Sequence, residues 1–295
     1  MAALQRAAGA VAIGFVVAAS ACGVSKADGA IVFSATPSGS LVEQLFSIAP
    51  SGGALSQLTT GAKPAIDPAF SPTSATLAFA RSGSGIFTVS ANGSGLRRVT
   101  TGGRDSYPTW SPDGKRLAFI RPVGTKWRLY VVGAGGGPLR QLASAPPAGR
   151  PTWTNKGLLI ASGGDLLQVA TASGHVLKYY GANIDAIWGL NSVTLSPGVS
   201  RLTFVGARPP EPGDLECGEG PCQRFGLFME SLTTKVKKPA LIVKDSGPAA
   251  FSPDGTRLAL VSGGKLEIRS LAGTVEKMLW TGNAYPTDDG PPAWH

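Results

Sequence analysis

The stretch Pro108-Thr-Trp-Ser-Pro-Asp-Gly-Lys-Arg-Leu-Ala-Phe119 decides the fold of this chain of 295 residues. Trp110 precedes a Ser-Pro-Asp-Gly turn, in which Pro presets its own φ and Asp-Gly tolerates the backbone angles that close the turn. After the turn, Leu117 and Phe119 alternate with Ala118 and therefore share one face of a strand. The stretch predicts two antiparallel strands joined by a tight turn.

The same unit recurs along the chain at a nearly constant spacing. The residue before the turn is an aromatic or a Leu, and the copies start at Phe70, Trp110, Trp153, Leu195, Phe251 and Trp294. The spacings are 40, 43, 42, 56 and 43 residues. Four of them fit the length of about 40–45 residues that is typical of a four-stranded propeller blade. The long spacing contains an insertion at residues 206–225.

These repeats predict an all-β fold, a six-bladed β-propeller of four-stranded antiparallel blades. Each complete copy continues with two further strand signals after the Leu-x-Phe strand, for example 127–132 and 139–142. The last copy, residues 291–294, supplies a single strand, whereas residues 30–59 contain signals for three. We expect these two segments to pair and form the sixth blade, because closing the ring removes exposed sheet edges.

The pattern at 108–119 and its echo at 248–260 resemble TolB-type β-propeller repeats, and the resemblance covers nearly all of the chain from residue 29. It implies a six-bladed propeller like those of TolB and of prolyl-oligopeptidase-type enzymes. The sequence departs from both, since it shows neither an α/β domain before the propeller nor a hydrolase domain with a Gly-x-Ser-x-Gly motif. A Tol–Pal role or a peptidase activity therefore does not carry over, because fold does not imply function.

The first 21 residues have the features of a secretory signal of the lipoprotein type. Arg6 precedes an apolar run at 7–21, and Ala19-Ser-Ala-Cys22-Gly resembles a bacterial lipobox. We predict lipidation of Cys22, a short linker at 22–28 and one propeller domain at 29–295. The protein is then exported and anchored to the cell membrane on its extracytoplasmic side. Ordinary cleavage after Ala21, giving a secreted or periplasmic soluble protein, is the alternative.

The three cysteines agree with an exported protein. Cys217 and Cys222 are five residues apart in the insertion, which favours a disulfide within a loop, and lipidation accounts for the third. An oxidising compartment follows from this pairing. Half of a metal site is the rival interpretation, but the only histidines are His175 and His295. We predict no metal and no cofactor.

The net charge of +9 at pH 7 favours contact with anionic surfaces. The basic residues are scattered and are not interleaved with aromatic residues, so the sequence does not indicate nucleic-acid binding. We predict a monomer that binds a protein or an anionic cell-envelope polymer.

The links between blades emerge on one face of a propeller, here called the loop face, and the Ser-Pro-Asp-Gly turns emerge on the other, here called the turn face. Surface loops on a rigid scaffold are where binding residues concentrate. We expect the insertion, with its Cys pair, to reach over the loop face. The residues predicted to surround the channel mouth there are Lys63, Asp67, Arg104, Asp105, Tyr107, Arg150, Asp185, Trp188, Tyr285, Asp288 and Asp289. The predicted binding face is Arg104, Asp105, Tyr107, Arg150, Asp185, Trp188, Tyr285 and Asp288.

The repeat-position tryptophans are interpreted as core residues, and Asp113 and Asp254 as turn residues. No serine triad is evident, since a triad needs a histidine that deprotonates the nucleophile. The sequence therefore favours a non-catalytic, membrane-anchored binding module that uses the loop face. A metal-dependent, lactonase-like hydrolase with a site at the channel mouth is the alternative.

Overall fold

The structure is a computed structural model of the chain. It describes residues 29–142, 150–162, 165–172, 174–179, 188–208, 216–217, 220–221, 224–231, 239–280, 285–286 and 291–295.

The described residues form six antiparallel sheets arranged as the blades of a propeller, together with one short hairpin and one 3-10 turn at Pro197–Val199. The first strands are β1 (Ile31–Thr36), β2 (Gln44–Ile48) and β3 (Ser56–Gln57) of blade 6, followed by β4 (Ala65–Phe70), β5 (Thr76–Arg81), β6 (Gly85–Ser90) and β7 (Arg97–Arg98) of blade 1. Blade 2 contains β8 (Ser106–Trp110), β9 (Arg116–Val123), β10 (Lys126–Gly133) and β11 (Arg140–Gln141), and blade 3 contains β12 (Thr152–Thr154), β13 (Gly157–Ser162), β14 (Asp165–Val169) and β15 (Val176–Tyr179).

The second half of the chain follows the same plan. Blade 4 contains β16 (Trp188–Leu195), β17 (Arg201–Arg208), β20 (Arg224–Ser231) and β21 (Ala240–Lys244), with the separate hairpin β18 (Glu216–Cys217) and β19 (Gly220–Pro221) between its second and third strands. Blade 5 contains β22 (Ala249–Phe251), β23 (Arg257–Ser262), β24 (Lys265–Ser270) and β25 (Val275–Trp280), and blade 6 is completed by β26 (Tyr285–Pro286) and β27 (Ala293–Trp294). The predicted all-β, six-bladed fold is confirmed.

The ring closes as the sequence predicted. Strand β27 pairs with β1 in the register Ile31 opposite Trp294 and Val32 opposite Ala293, and His295 exchanges two backbone hydrogen bonds with Ala30. The structure adds one element, because β26 pairs with the other end of β1. The innermost strand of blade 6 thus consists of two short segments. Strand β27 also contacts β4 and β22, so that blade 6 joins blade 1 to blade 5.

The core lies between the blades, because both faces of each second strand are covered by neighbouring sheets. Leu117 and Phe119 pack in one hydrophobic cluster with blade 1, whereas Ala118 and Ile120 pack in another with blade 3. The Phe of the Leu-x-Phe pattern is fully buried in blades 1, 2 and 4. Burial on both faces explains why these strands are almost continuously apolar.

The Ser-Pro-Asp-Gly turn is held by its own side chains. Ser111 Oγ donates to Asp113 Oδ1 at 2.5 Å and accepts from Arg116 N at 2.9 Å. Gly114 adopts φ 67°, a left-handed conformation that glycine takes without strain. Blade 5 repeats the arrangement with Ser252 and Asp254. The turn therefore has a structural role, as the sequence predicted.

Candidate functional site at the loop face

Hydrogen bonds between blades show that the blade-to-blade links share a face with the turns between second and third strands. Lys63, in the link from blade 6 to blade 1, donates to Gly83 O and Ser84 Oγ in such a turn. Arg81, at the end of a second strand, reaches Thr60 O in the same link at 3.2 Å. The loop face predicted from the repeat pattern is thus present in the structure.

Three polar residues at this face occupy the same position in successive repeats. Asp67, Tyr107 and Arg150 each lie three residues before the aromatic of their copy, in blades 1, 2 and 3. They contact one another directly: Tyr107 N donates to Asp67 Oδ2 at 3.2 Å, and Arg150 Nη2 lies 3.9 Å from Asp67 Oδ1. We call these three residues the channel-mouth cluster.

Arg150 reaches across the mouth of the channel. Its Nη1 donates to Pro68 O at 3.1 Å, which joins the entry of blade 3 to the innermost strand of blade 1. These two blades are not neighbours, so the side chain must pass the inner strand of blade 2. Arg150 is only 9% exposed. Burial lowers the pKa of Arg150 below its usual value, and the Asp67 carboxylate opposes that effect.

The cluster is built on strained backbone. Asp67 and Tyr107 have φ values of 57° and 54°, which are uncommon for residues other than glycine. Both lie where the register shifts in the pairing of β4 with β5 and of β8 with β9. Such conformations cost about 1–3 kcal/mol each and are found more often at functional sites.

Among the predicted binding residues, Asp105 is buried and already paired. It accepts two hydrogen bonds from Arg121, at 2.6 Å from Nε and 2.8 Å from Nη2, and a third from Thr100 Oγ1. The ion pair raises the pKa of Arg121. Gly102 allows this packing, because an added Cβ would overlap both the Asp105 and the Arg121 side chains. The geometry assigns Asp105 to the internal structure of blade 2.

Known structures share this architecture. TolB from Acinetobacter baumannii superimposes with a TM-score of 0.66 at 18% identity, covering 90% of this chain and 66% of that one. The chain has a TolB-type propeller fold. The chain also resembles a nidogen/laminin complex structure, with a TM-score of 0.56, 12% identity and coverage of 90% and 98%. Hydrazine synthase from Kuenenia stuttgartiensis is similar as well, with a TM-score of 0.52, 15% identity and coverage of 83% and 80%.

These likenesses establish the fold alone, because every identity is below 20%. No protein-family model matches this chain, and no curated protein matches it. The chain spans 66% of the length of the A. baumannii TolB chain.

Arg104 is an exposed cation of the loop face in blade 2. Its guanidinium carbon lies 6.0 Å from the ring centre of Trp127, at the start of β10. This contact connects a blade-to-blade link to a second-to-third strand turn. Arg104 and Trp127 therefore form an accessible patch beside the channel-mouth cluster.

The other predicted site residues are described in part or not at all. Trp188 and Tyr285 lie in β16 and β26, and Cys217 lies in β18, opposite Gly220. Five predicted residues, Cys22, Asp185, Cys222, Asp288 and Asp289, fall outside the described residues. The disulfide, the lipidation and the roles of these residues stay predictions.

Strands occupy both ends of the predicted insertion. Strand β17 continues to Arg208 and β20 begins at Arg224, with Ala207 opposite Phe225. The insertion predicted at residues 206–225 therefore overlaps the ends of these two strands. The insertion still connects a second strand to a third, which is a loop-face connection.

A groove of about 390 Å³ lies on the turn face between blades 2 and 3. The groove lies beside the turn between β12 and β13, which is two residues shorter than the Ser-Pro-Asp-Gly turns of other blades. Gly157, the residue that follows this turn, has φ 144°. The Arg116 guanidinium covers the Trp153 ring at 5.1 Å, so the aromatic surface there is already engaged.

Within the described part of the chain, no group of three His, Cys, Asp or Glu side chains converges as a metal site would require. The described residues likewise contain no helix with the length and hydropathy needed to span a bilayer. The channel-mouth cluster and the Arg104 patch are the candidate site that the described residues support.

Proposed function

We propose that this protein is a non-catalytic, extracytoplasmic binding module, anchored to the membrane through a lipid on Cys22, that binds a protein or cell-envelope partner with its loop face. The signal-like residues 1–21 and the Cys22 context support export and anchoring. The six-bladed ring supplies a rigid scaffold on which surface loops can present binding residues.

The observation that carries this proposal is the buried charge at the channel mouth. Asp67 and Arg150 are 2% and 9% exposed, yet they form no direct hydrogen bond with each other, at 3.9 Å. Blade packing does not require ionised groups at this repeat position, since Pro248 and Pro291 occupy it in blades 5 and 6. Charges kept in a costly environment beside an exposed patch indicate a functional surface.

Structural relatives agree with a binding role. One of the similar structures is a nidogen/laminin complex, in which proteins associate. A likeness at this identity shows only that the fold is compatible with protein binding, and the partner of this chain is left to experiment.

A matched pair of charge reversals tests the assignment of the face. Arg104→Glu alters the exposed loop-face patch, and Lys115→Glu makes the same change on the exposed turn face. Each protein is crosslinked in the membrane fraction, and the captured partners are compared with those of the wild type. We expect Lys115→Glu to retain the partner and Arg104→Glu to lose most of it.

Two outcomes would contradict the proposal. Loss of capture only in Lys115→Glu would place binding on the turn face. Failure to capture any partner, combined with lactone hydrolysis by the purified protein in the presence of Ca²⁺ or Zn²⁺, would favour the hydrolase predicted as the alternative.

A further inference from the structure

One edge of the Arg150 guanidinium is buried without hydrogen-bond partners. Nη1 donates to Pro68 O, but Nε and Nη2 have no acceptor within hydrogen-bonding distance among the described residues. Among the described residues, the nearest carboxylate oxygen is Asp67 Oδ1, 3.9 Å from Nη2, which is too far for a hydrogen bond.

An unsatisfied buried donor is costly, at about 1–3 kcal/mol and more for a charged group. Two other arginines of the loop face are in different surroundings. Arg121 directs two nitrogens to Asp105. Arg81 also has an unbonded Nε, but its guanidinium lies over the Phe79 and Phe87 rings at 5.6 and 5.4 Å. Arg150 has neither arrangement within the described part of the chain.

Asp67 is not free to close the gap. Its Oδ2 already accepts a hydrogen bond from Tyr107 N, and its φ of 57° holds the backbone in a restricted region. Because Asp67 is bonded to blade 2, moving it towards Arg150 would break that contact. The fold itself therefore leaves Arg150 Nε and Nη2 without an acceptor among the described residues.

The geometry of this edge favours an oxyanion, which a protein partner supplies as a carboxylate. The N–H groups of Nε and Nη2 are parallel, which matches the two oxygens of a carboxylate and gives a charge-assisted, two-point hydrogen bond. Neutral amides and ammonium groups lack that complementarity. Both nitrogens are buried, so only a small group that enters the channel and displaces the covering atoms can reach them.

We infer that the channel mouth is a carboxylate site, in which an acidic side chain or chain terminus of the partner pairs with the Nε–Nη2 edge of Arg150. This inference rests on the proposed function, because the carboxylate is assigned to the loop-face partner. In this complex Asp67 keeps its hydrogen bond from Tyr107 N. Arg150 gains an acceptor for both Nε and Nη2, which the described residues do not supply.

The test follows the Arg150 Nε–H resonance by nitrogen-15 NMR in the full chain, assigned by its absence from Arg150→Lys. The probes are sodium acetate and N-acetyl-glutamate α-amide, titrated against sodium chloride at constant ionic strength. We expect the resonance to shift and saturate with both carboxylates but not with chloride.

Thermal denaturation of the same proteins supplies a second readout. Carboxylate should raise the melting temperature of the wild type, since it binds only the folded state. Arg150→Lys keeps the charge but lacks the two-point edge, so its affinity should be at least about tenfold weaker, a loss of about 1.4 kcal/mol. Lys126→Gln removes an exposed loop-face charge and should leave both readouts unchanged.

Each alternative outcome has a definite meaning. No saturable shift, an equal response to chloride, or an equal loss in Lys126→Gln and Arg150→Lys would overturn the inference. Partner capture retained in folded Arg150→Lys would also overturn it while leaving the proposed function intact. A saturable carboxylate response without any captured partner would confirm the site and count against the proposed function.

Discussion

Trp110 donates its indole N–H to the backbone oxygen of Ala69, in the preceding blade, at 3.0 Å. Trp153 repeats this contact with Thr109 O at 3.2 Å. Each tryptophan therefore joins its own innermost strand to that of its neighbour. The recurring aromatic of the repeat packs between blades and also donates to a partly buried carbonyl of the preceding blade. This contact connects the sequence motif to the assembly of the ring.

Replacing Trp110 separates these two contributions. Trp110→Phe removes the donor to the Ala69 carbonyl, so we expect the free energy of unfolding to fall by about 0.5–1.5 kcal/mol. Trp110→Ala removes the packing as well and should cost about 3–5 kcal/mol. Urea denaturation followed by circular dichroism measures both. Equal losses in the two variants would show that the hydrogen bond, rather than the ring, dominates.

The buried Asp105–Arg121 pair provides a second test. The Asp105 side chain is fully buried, so Arg121→Met leaves its carboxylate without a cation and should cost about 3 kcal/mol. The double variant Asp105→Leu with Arg121→Met should recover much of that loss. Lys244→Met is the control, because the Lys244–Asp245 pair is 70% and 71% exposed and should contribute less than about 1 kcal/mol. Additive effects in the double variant would contradict the coupling.

Two glycines with positive φ allow the cost of backbone strain to be separated from the cost of a steric overlap. Gly85 has φ 115°, and an added Cβ would lie 2.5 Å from Thr100 O, whereas Gly124 has φ 60° and open space around the added atom. Gly124→Ala should cost about 1–2 kcal/mol from the left-handed backbone alone. Gly85→Ala should cost clearly more, as measured by thermal denaturation. A similar cost at both sites would mean that β6 shifts to accommodate the methyl group.

The carboxylate of the blade 5 turn should make the stability of the protein depend on pH in the acid range. Hydrogen bonds from Ser252 Oγ and from Thr256 lower the pKa of Asp254 to about 2. Because the folded-state pKa is below the unfolded value of about 4, this group stabilises the protein fully above that pH, and the contribution is lost as pH falls towards 2. Carbon-13 NMR of the carboxyl group measures the midpoint. In Ser252→Ala the midpoint should rise, and an unchanged value would exclude the Ser252 hydrogen bond as the main cause.

Lipidation has a direct test in cell fractionation. Cys22→Ser removes the predicted acceptor of the lipid, so the protein should leave the membrane fraction, because a stable anchor depends on the acyl chains. Cys217→Ser is the matched control and should remain membrane-bound. Unchanged partitioning of Cys22→Ser would show that Cys22 carries no anchor.

The repeat pattern predicted most of the fold because its signals are local. The Ser-Pro-Asp-Gly turn is closed by side chains within five residues of each other, and Leu117 and Phe119 follow the two-residue period of a strand. Ring closure was also predictable, since an isolated last strand and three unpaired first strands complement each other. The pairing of β26 with β1 was not predicted, because Tyr285–Pro286 has no strand pattern of its own.

The candidate site was only partly predictable. Asp67, Tyr107 and Arg150 were all placed around the channel mouth from the repeat, and the structure brings the three into contact. The shared position three residues before each aromatic was present in the sequence and would have pointed to the cluster. Asp105 looked equivalent to its neighbours as a loop residue, yet its carboxylate turns inward to Arg121, 16 residues away in sequence.

The sequence by itself determined the number of blades, their four-stranded plan, the closure of the ring and the face on which each turn lies, because turn chemistry and alternation act between neighbouring residues. The tertiary structure alone decided which charges meet. Arg150 and Pro68 are 82 residues apart and belong to blades that are not neighbours, so only the curvature of the ring brings the guanidinium to that carbonyl and leaves its other edge without a partner among the described residues.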